Sequence, residues 1–228
     1  MKKIKVLRII NRFNIGGPTY NATFLTRFLG DEFETLLIGG LPEEGESDSL
    51  HILENYGVSP VLLEEMQRKP NFSSDRKAYK RIKRIIEEFQ PDIVHTHAAK
   101  AGALGRRAAK AAGVPIIVHT YHGHVFQGYF SPLKTTVYKA IERRLSKSST
   151  RIIAISSLQK AELVNTHKVC SDQQTVVIPL TEVFAEYNPK PVVNPAGYWC
   201  RLLMGHAEGS LDADIAFDNF RVVPKVIK

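Results

Sequence analysis

The chain reads as short apolar runs separated by stretches with helical spacing. Runs rich in Ile, Val and Leu, with no polar alternation, cover residues 4–10, 34–38, 59–63, 92–95, 115–120, 151–155 and 175–178. Strands of that kind are buried on both faces, as in a parallel sheet covered by helices. Between them, apolar residues recurring at helical spacing predict helices over 18–29, 47–56, 74–89, 100–111, 133–146 and 156–166. Largely alternating β and α elements predict an α/β fold with a doubly wound, mostly parallel, Rossmann-like sheet. Local punctuation agrees. Gly113 closes one helix with Pro115 two residues beyond it, and Ser156 or Ser157 can cap the next. In helix 133–146, Val137, Ile141 and Leu145 are expected to face inward. Residues 181–228 break the pattern. They are rich in Pro and Asn and end in DADIAFDNFRVVP, where one short strand is expected, with Ile215 and Phe217 on one side.

Composition narrows the class. With 228 residues the chain has room for one large domain, or one domain and a tail, around a substantial core. The two cysteines, Cys170 and Cys200, lack metal-like spacing, so a reducing cytoplasmic setting is expected. The basic, then apolar start MKKIKVLRIINRF is too short for a signal peptide. No run approaches the ~20 apolar residues of a transmembrane helix. A net charge of +8 admits nucleic acid, an anionic membrane surface or phosphorylated small molecules as partners. The basic residues concentrate at 76–84 and 134–147. These read as solvated helix faces or as a surface for anionic lipid. Nucleic acid is set aside, because no recognition motif accompanies the charge.

Candidate chemistry gathers in residues 91–124, PDIVHTHAAKAGALGRRAAKAAGVPIIVHTYHGH. Four of its five histidines, His95, His97, His122 and His124, fall at or just after predicted strand ends. Open α/β sheets bind ligands outside the carboxyl ends of their strands, and imidazole handles protons near neutral pH. His95 and His97 share one side of a strand and read first as structural or bracing residues. His122, beside Gly123, is the better candidate for lining a site. The two His-x-His pairs could converge on a metal, but no neighbouring Asp, Glu or Cys completes a set. The first βα turn is Asn14-Ile15-Gly16-Gly17-Pro18. Paired glycines permit positive φ and close approach of a ligand, and a helix N-terminus suits phosphate. The turn is neither the dinucleotide fingerprint nor a P-loop, and a tight turn alone would also use two glycines. Asp212-Ala213-Asp214 has a D-x-D form but reads as a polar loop before a strand.

Taken together, IINRFNIGGPTYNATFLTRFL, the 91–124 segment running on into VFQGYFSP, IERRLSKSSTRIIAISS and VVIPL resemble the amino-terminal half of a family-4 glycosyltransferase. The resemblance runs from residue 1 to about 180, in the family's order and spacing. It implies a GT-B enzyme that is retaining and metal-independent and needs no cofactor. Such an enzyme moves a sugar from a nucleotide-sugar donor to a glycan or lipid-linked acceptor. It also implies roles. Gly16 and Gly17 would lie against the donor diphosphate, His122 would stand beside the reacting sugar, and His97, Lys100 and His124 would line the cleft.

The pattern then departs from the family. Thr181 stands where a link glycine is expected, and 181–228 is too short for a second Rossmann domain. The expected organisation is an acceptor-side domain at 1–180 followed by an atypical tail. Two outcomes follow: a protein that works with a separate donor-domain chain, or a non-catalytic truncated remnant or binding module of the same fold. Self-association through the uncovered cleft face and peripheral contact with the inner face of the membrane are also expected.

Overall fold

The structure, a computed structural model, describes residues 2–43, 47–67, 69–123, 126 and 131–180. The strand expected near Ile215, and the tail that carries it, lie outside these residues. Seven strands form one sheet: β1 (Ile4–Arg12), β2 (Phe33–Gly40), β3 (Val61–Leu62), β4 (Ile93–His97), β5 (Ile116–Tyr121), β6 (Arg151–Ala154) and β7 (Thr175–Val177). The connecting helices are α1 (Gly17–Arg27), α2 (Leu50–Asn55), α3 (Phe72–Phe89), α4 (Ala99–Ala111), α5 (Pro132–Ser146) and α6 (Ser157–Ala161). All strand pairs are parallel and the order is 3-2-1-4-5-6-7. The doubly wound α/β sheet read from the sequence is therefore present. Helix 156–166 differs in detail, since α6 continues as a π-helical turn over Glu162–Thr166.

Strand alternation divides the core. On one side, Leu7, Ile9, Val94 and Ile117 pack against Ala78, Ile82, Ile85 and Ile86 of α3 and against Ala101, Leu104 and Ala108 of α4. On the other, Ile10 and Leu37 cluster with Ala22 of α1 and Leu53 of α2. Each aliphatic side chain fully buried this way contributes about 1.5–3 kcal/mol. Helix α3 is bounded by local chemistry. Asn71 accepts a hydrogen bond from the Ser74 amide at 3.0 Å, and Gln90 ends the helix at φ 52. Helix α4 approaches the sheet closely because it carries glycine there. A Cβ at Gly102 would stand 2.5 Å from His119 Cε1, and one at Gly105 would stand 2.7 Å from Thr96 Cγ2.

One expectation is overturned. Leu145 is buried in α5, but Val137 and Ile141 are 51% and 44% exposed. Steps of four residues along a helix of 3.6 residues per turn advance about 40° each, so the stripe winds off the core. The inward face falls instead on Glu142, Leu145 and Ser146. Leu133, Val137 and Ile141 are left on the surface. Among the described residues no helix is long and apolar enough to cross a membrane.

Candidate functional site

Chain order reverses between β1 and β4. From β1 the chain runs outward through β2 and β3, and α3 then returns it to β4 on the other side of β1. Adjacent strands whose connections diverge open a crevice at their carboxyl ends, where open α/β sheets bind ligands. Arg8 pairs directly with His95 across this junction, and His97 pairs with Thr120 of β5. Strand alternation thus brings Arg8, His95, His97 and Thr120 to one face of the sheet.

The histidines form a ladder. His95 Nε2 lies 2.8 Å from Thr120 Oγ1, and its ring centroid is 4.2 Å from that of His97. His97 Nδ1 lies 2.9 Å from His122 Nε2, with the two rings stacked at 5.2 Å. His97 is fully buried and His122 partly buried. Of the two residues read first as bracing, His97 contacts His122 directly, and His95 packs behind it against His97 and Thr120. Burial holds the pKa of His95 and His97 well below 6.5 and lowers that of His122 to about 4. All three are neutral at pH 7. A neutral pair sharing one hydrogen bond has one donating and one accepting ring nitrogen at the contact. Its outer nitrogens, His97 Nε2 and His122 Nδ1, are therefore also one donor and one acceptor. Both outer atoms are shielded and lack a protein partner.

The opposite face supports this arrangement. His119 Nδ1 lies 2.8 Å from the Thr96 hydroxyl, in the space that Gly102 leaves open. Tyr121, immediately before His122, donates its hydroxyl to Glu142 Oε2 at 2.6 Å, and Arg106 Nη2 donates to the same oxygen at 2.6 Å. Past β4, Ala98 sits at φ 63, a conformation that costs a residue with a side chain about 1–3 kcal/mol. That strain falls between His97 and the first turn of α4. Gly123, just after His122, takes φ 154, as the expectation of a freed backbone beside His122 requires.

Gly16 and Gly17 open α1 at the carboxyl end of β1, but neither adopts the left-handed conformation. Gly16 is extended at φ 163, and Gly17 is absent from the left-handed region. A Cβ at Gly17 would meet nothing within 4 Å, and one at Gly16 only Pro18 Cδ at 3.7 Å. Neither local packing nor backbone geometry demands glycine here, so the turn offers bare backbone and open space. Lys100 is committed elsewhere. Its Nζ donates to the carbonyls of Gln67 at 2.7 Å and Lys69 at 3.0 Å, and lies 2.6 Å from Asp75 Oδ1. It ties the segment before α3 to the start of α4. His124 lies outside the described residues. Among the described residues no group of three or more His, Cys, Asp or Glu side chains is placed to hold a metal ion.

Sequence reasoning passed over Arg8, which reads as one polar residue in an apolar strand until its neighbour His95 is known. It also left His119 unweighed. The glycines at 102 and 105 carried the signal that α4 presses against that part of the sheet.

Residues 22–180 match the model of Glycosyltransferase Family 4. The chain is 38% identical over 103 residues to the Escherichia coli UDP-Gal:alpha-D-GlcNAc-diphosphoundecaprenol alpha-1,3-galactosyltransferase, covering 45% of this chain and 27% of that protein. Its fold resembles that of a Rickettsia africae glycosyltransferase, with TM-score 0.57 and 19% identity over 84% of this chain and 47% of the other. It also resembles the Neisseria meningitidis UDP-GlcNAc 2-epimerase bound to UDP-GlcNAc, with TM-score 0.59 and 13% identity over 80% and 49%. At such identities the structural likenesses establish the fold. The chain spans about a quarter of the length of the E. coli relative and about half of each solved structure.

Proposed function

Because the chain belongs to glycosyltransferase family 4, we propose that its described α/β unit forms the acceptor-side wall of a sugar-transfer cleft. The donor is a nucleotide sugar and the acceptor a diphosphate-linked lipid sugar, the classes named for the E. coli relative, or a glycan. The observation that carries this reading is the His97–His122 pair, set beside the topological switch point with shielded outer nitrogens. Sugar transfer develops positive charge on the sugar and negative charge on the departing phosphate. A histidine held neutral adds no opposing cation beside that sugar, and it can hydrogen-bond a hydroxyl in either sense. The bare Gly16–Gly17 backbone leaves room for the phosphate at the N-terminus of α1. Transfer needs groups from both sides of a cleft, so the described unit works with a donor-binding wall supplied from outside it.

The test is transfer of labelled galactose from UDP-galactose to a GlcNAc-diphosphoprenol. The full chain would be assayed alone and mixed with the separately expressed part of the E. coli relative that lies outside the stretch matching this chain. The chain alone is expected to turn over slowly or not at all, and the mixture to transfer. His122→Ala should lower the mixed rate by about 100-fold or more. Absence of transfer in the mixture, or indifference to His122→Ala, would refute the reading.

A membrane-facing orientation is supported by α5. Its exposed Leu133, Val137 and Ile141 are flanked by exposed Lys134, Arg144 and Lys147. Apolar residues beside cations suit the interface of an anionic bilayer, where a lipid-linked acceptor resides. Co-sedimentation with phosphatidylglycerol vesicles should be salt-sensitive and weakened by Val137→Asp. Equal recovery with purely zwitterionic vesicles would argue against it.

A further inference from the structure

We propose that Arg8 is a built-in receptor for a phosphate oxyanion at the switch point, with the donating member of the His97–His122 pair as its second contact. The inference rests on the sugar-transfer reading only for the identity of the anion. Nucleotide-sugar donors and diphosphate-linked acceptors both carry phosphate.

Of the buried arginines Arg8, Arg12 and Arg106, the first and last contrast most. Arg106 is fully buried and furnished with partners: Glu142 Oε2 at 2.6 Å and the Gly102 carbonyl at 2.9 Å. Arg8 is 2% exposed, and neither its Nε nor its Nη1 has a partner. No ion pair to Arg8 exists among the described residues. Burial without a counter-charge lowers its pKa to about 9, which still leaves it a cation at pH 7. An unpaired buried charge costs several kcal/mol, whereas the same charge with an anion in place is compensated. Among the described residues, the groups around it do not supply that anion. His95 and His97, which feel Arg8 electrostatically, are neutral, and Thr120 is uncharged.

Position narrows the ligand. Arg8 and His95 flank the junction of β1 and β4, and the ladder leads from His95 to the carboxyl ends of β4 and β5. The guanidinium fork matches phosphate bidentately. The shielded outer nitrogens of His97 and His122 always include one donor, so the pair can complete an oxyanion's coordination without being protonated. This site lies on the face of the sheet and uses side chains. It is separate from the backbone turn at Gly16–Gly17.

The experiment is thermal unfolding of the full chain against rising inorganic pyrophosphate, UDP and farnesyl diphosphate. The wild-type midpoint should climb with the logarithm of anion concentration once the dissociation constant is passed. Arg8→Met, which removes the unpaired charge at similar length, should unfold at or above the wild-type midpoint without anion and show no climb. Arg8→Lys keeps the charge but loses the fork, and should weaken binding about tenfold or more. The Arg8 Nε–Hε resonance of the wild type should move on anion addition, which keeps the test decisive if Arg8→Met does not fold. Tighter binding of UDP than of pyrophosphate places a donor phosphate on Arg8, and tighter binding of farnesyl diphosphate an acceptor phosphate. No climb with any of the three anions, or wild-type affinity in Arg8→Met, overturns the proposal. Pyrophosphate binding through Arg8 in a chain that never supports transfer would leave this inference standing and sink the proposed activity. Transfer without any phosphate response would do the reverse.

Discussion

Glu142→Leu is expected to destabilise the chain by about 3–5 kcal/mol, among the largest effects available from one substitution in this structure. The carboxylate of Glu142 is 6% exposed and takes hydrogen bonds from Arg106 and from the Tyr121 hydroxyl. Removing it strands a fully buried guanidinium and leaves a buried hydroxyl without its acceptor. The cost is that of an orphaned charge, so it should be largely refunded in the double variant Arg106→Leu/Glu142→Leu, where no charge remains. Urea unfolding midpoints at constant slope give all three values. A single-variant loss under about 1 kcal/mol, or a double variant as unstable as the single one, would contradict the clamp. Because Tyr121 is the residue before His122, Glu142→Leu should also loosen the end of β5.

The second large effect is acid sensitivity. His95, His97, His119 and His122 all have pKa values lowered in the folded chain, with burial the leading cause in each. Cations oppose their protonation further, Arg8 beside His95 and His97 and Arg106 beside His119. In the unfolded chain these rings titrate near 6.5. The folded state therefore binds fewer protons below that pH, and stability falls as pH drops. The stabilisation is complete above about pH 7. It is lost progressively from 6.5 downward, and for His122 the loss levels off near 4, where the folded ring itself takes a proton. Each ring contributes a slope of about 1.4 kcal/mol per pH unit in that window, so four acting together approach about 5 kcal/mol per unit. Urea midpoints measured from pH 8 to pH 5 should be level at first and then fall steeply. His95→Asn should remove about a quarter of the slope. A midpoint unchanged between pH 7 and pH 5 would mean that these rings are solvated or already charged.

Much of this architecture was legible in the chain, and the reasons are local. Buried parallel strands announce themselves as runs such as VLRII and IIVHT, and their strand ends located His97 and His122. The contact between those two rings was not legible. It depends on β5 lying next to β4, which no spacing reveals. Arg8 was hidden for the same reason, since its meaning comes from the β1–β4 junction and from missing partners. Arg106 and Glu142 lie far apart in sequence and read as ordinary helix charges until packing brings them together. The Gly16–Gly17 turn does open α1, but not in the backbone conformation expected of it. Neither local packing nor the backbone requires glycine at 16 or 17, while the left-handed backbone expected there occurs at Gly123. Val137 and Ile141 misled because an apolar stripe at steps of four drifts round a helix, and only its end reached the core.

The shared proton between His97 and His122 has one more consequence. Moving it alone from one ring to the other would leave an imidazolate beside an imidazolium, so the outer donor and outer acceptor change places only when one outer nitrogen also gives up a proton and the other gains one. The pair therefore reverses its hydrogen-bonding polarity only in step with whatever takes a proton from one outer nitrogen and supplies one to the other. At any moment the pair presents one donor edge and one acceptor edge side by side. Such a surface couples a proton given up at one edge to a proton gained at the other, so its polarity follows the chemistry of what binds it.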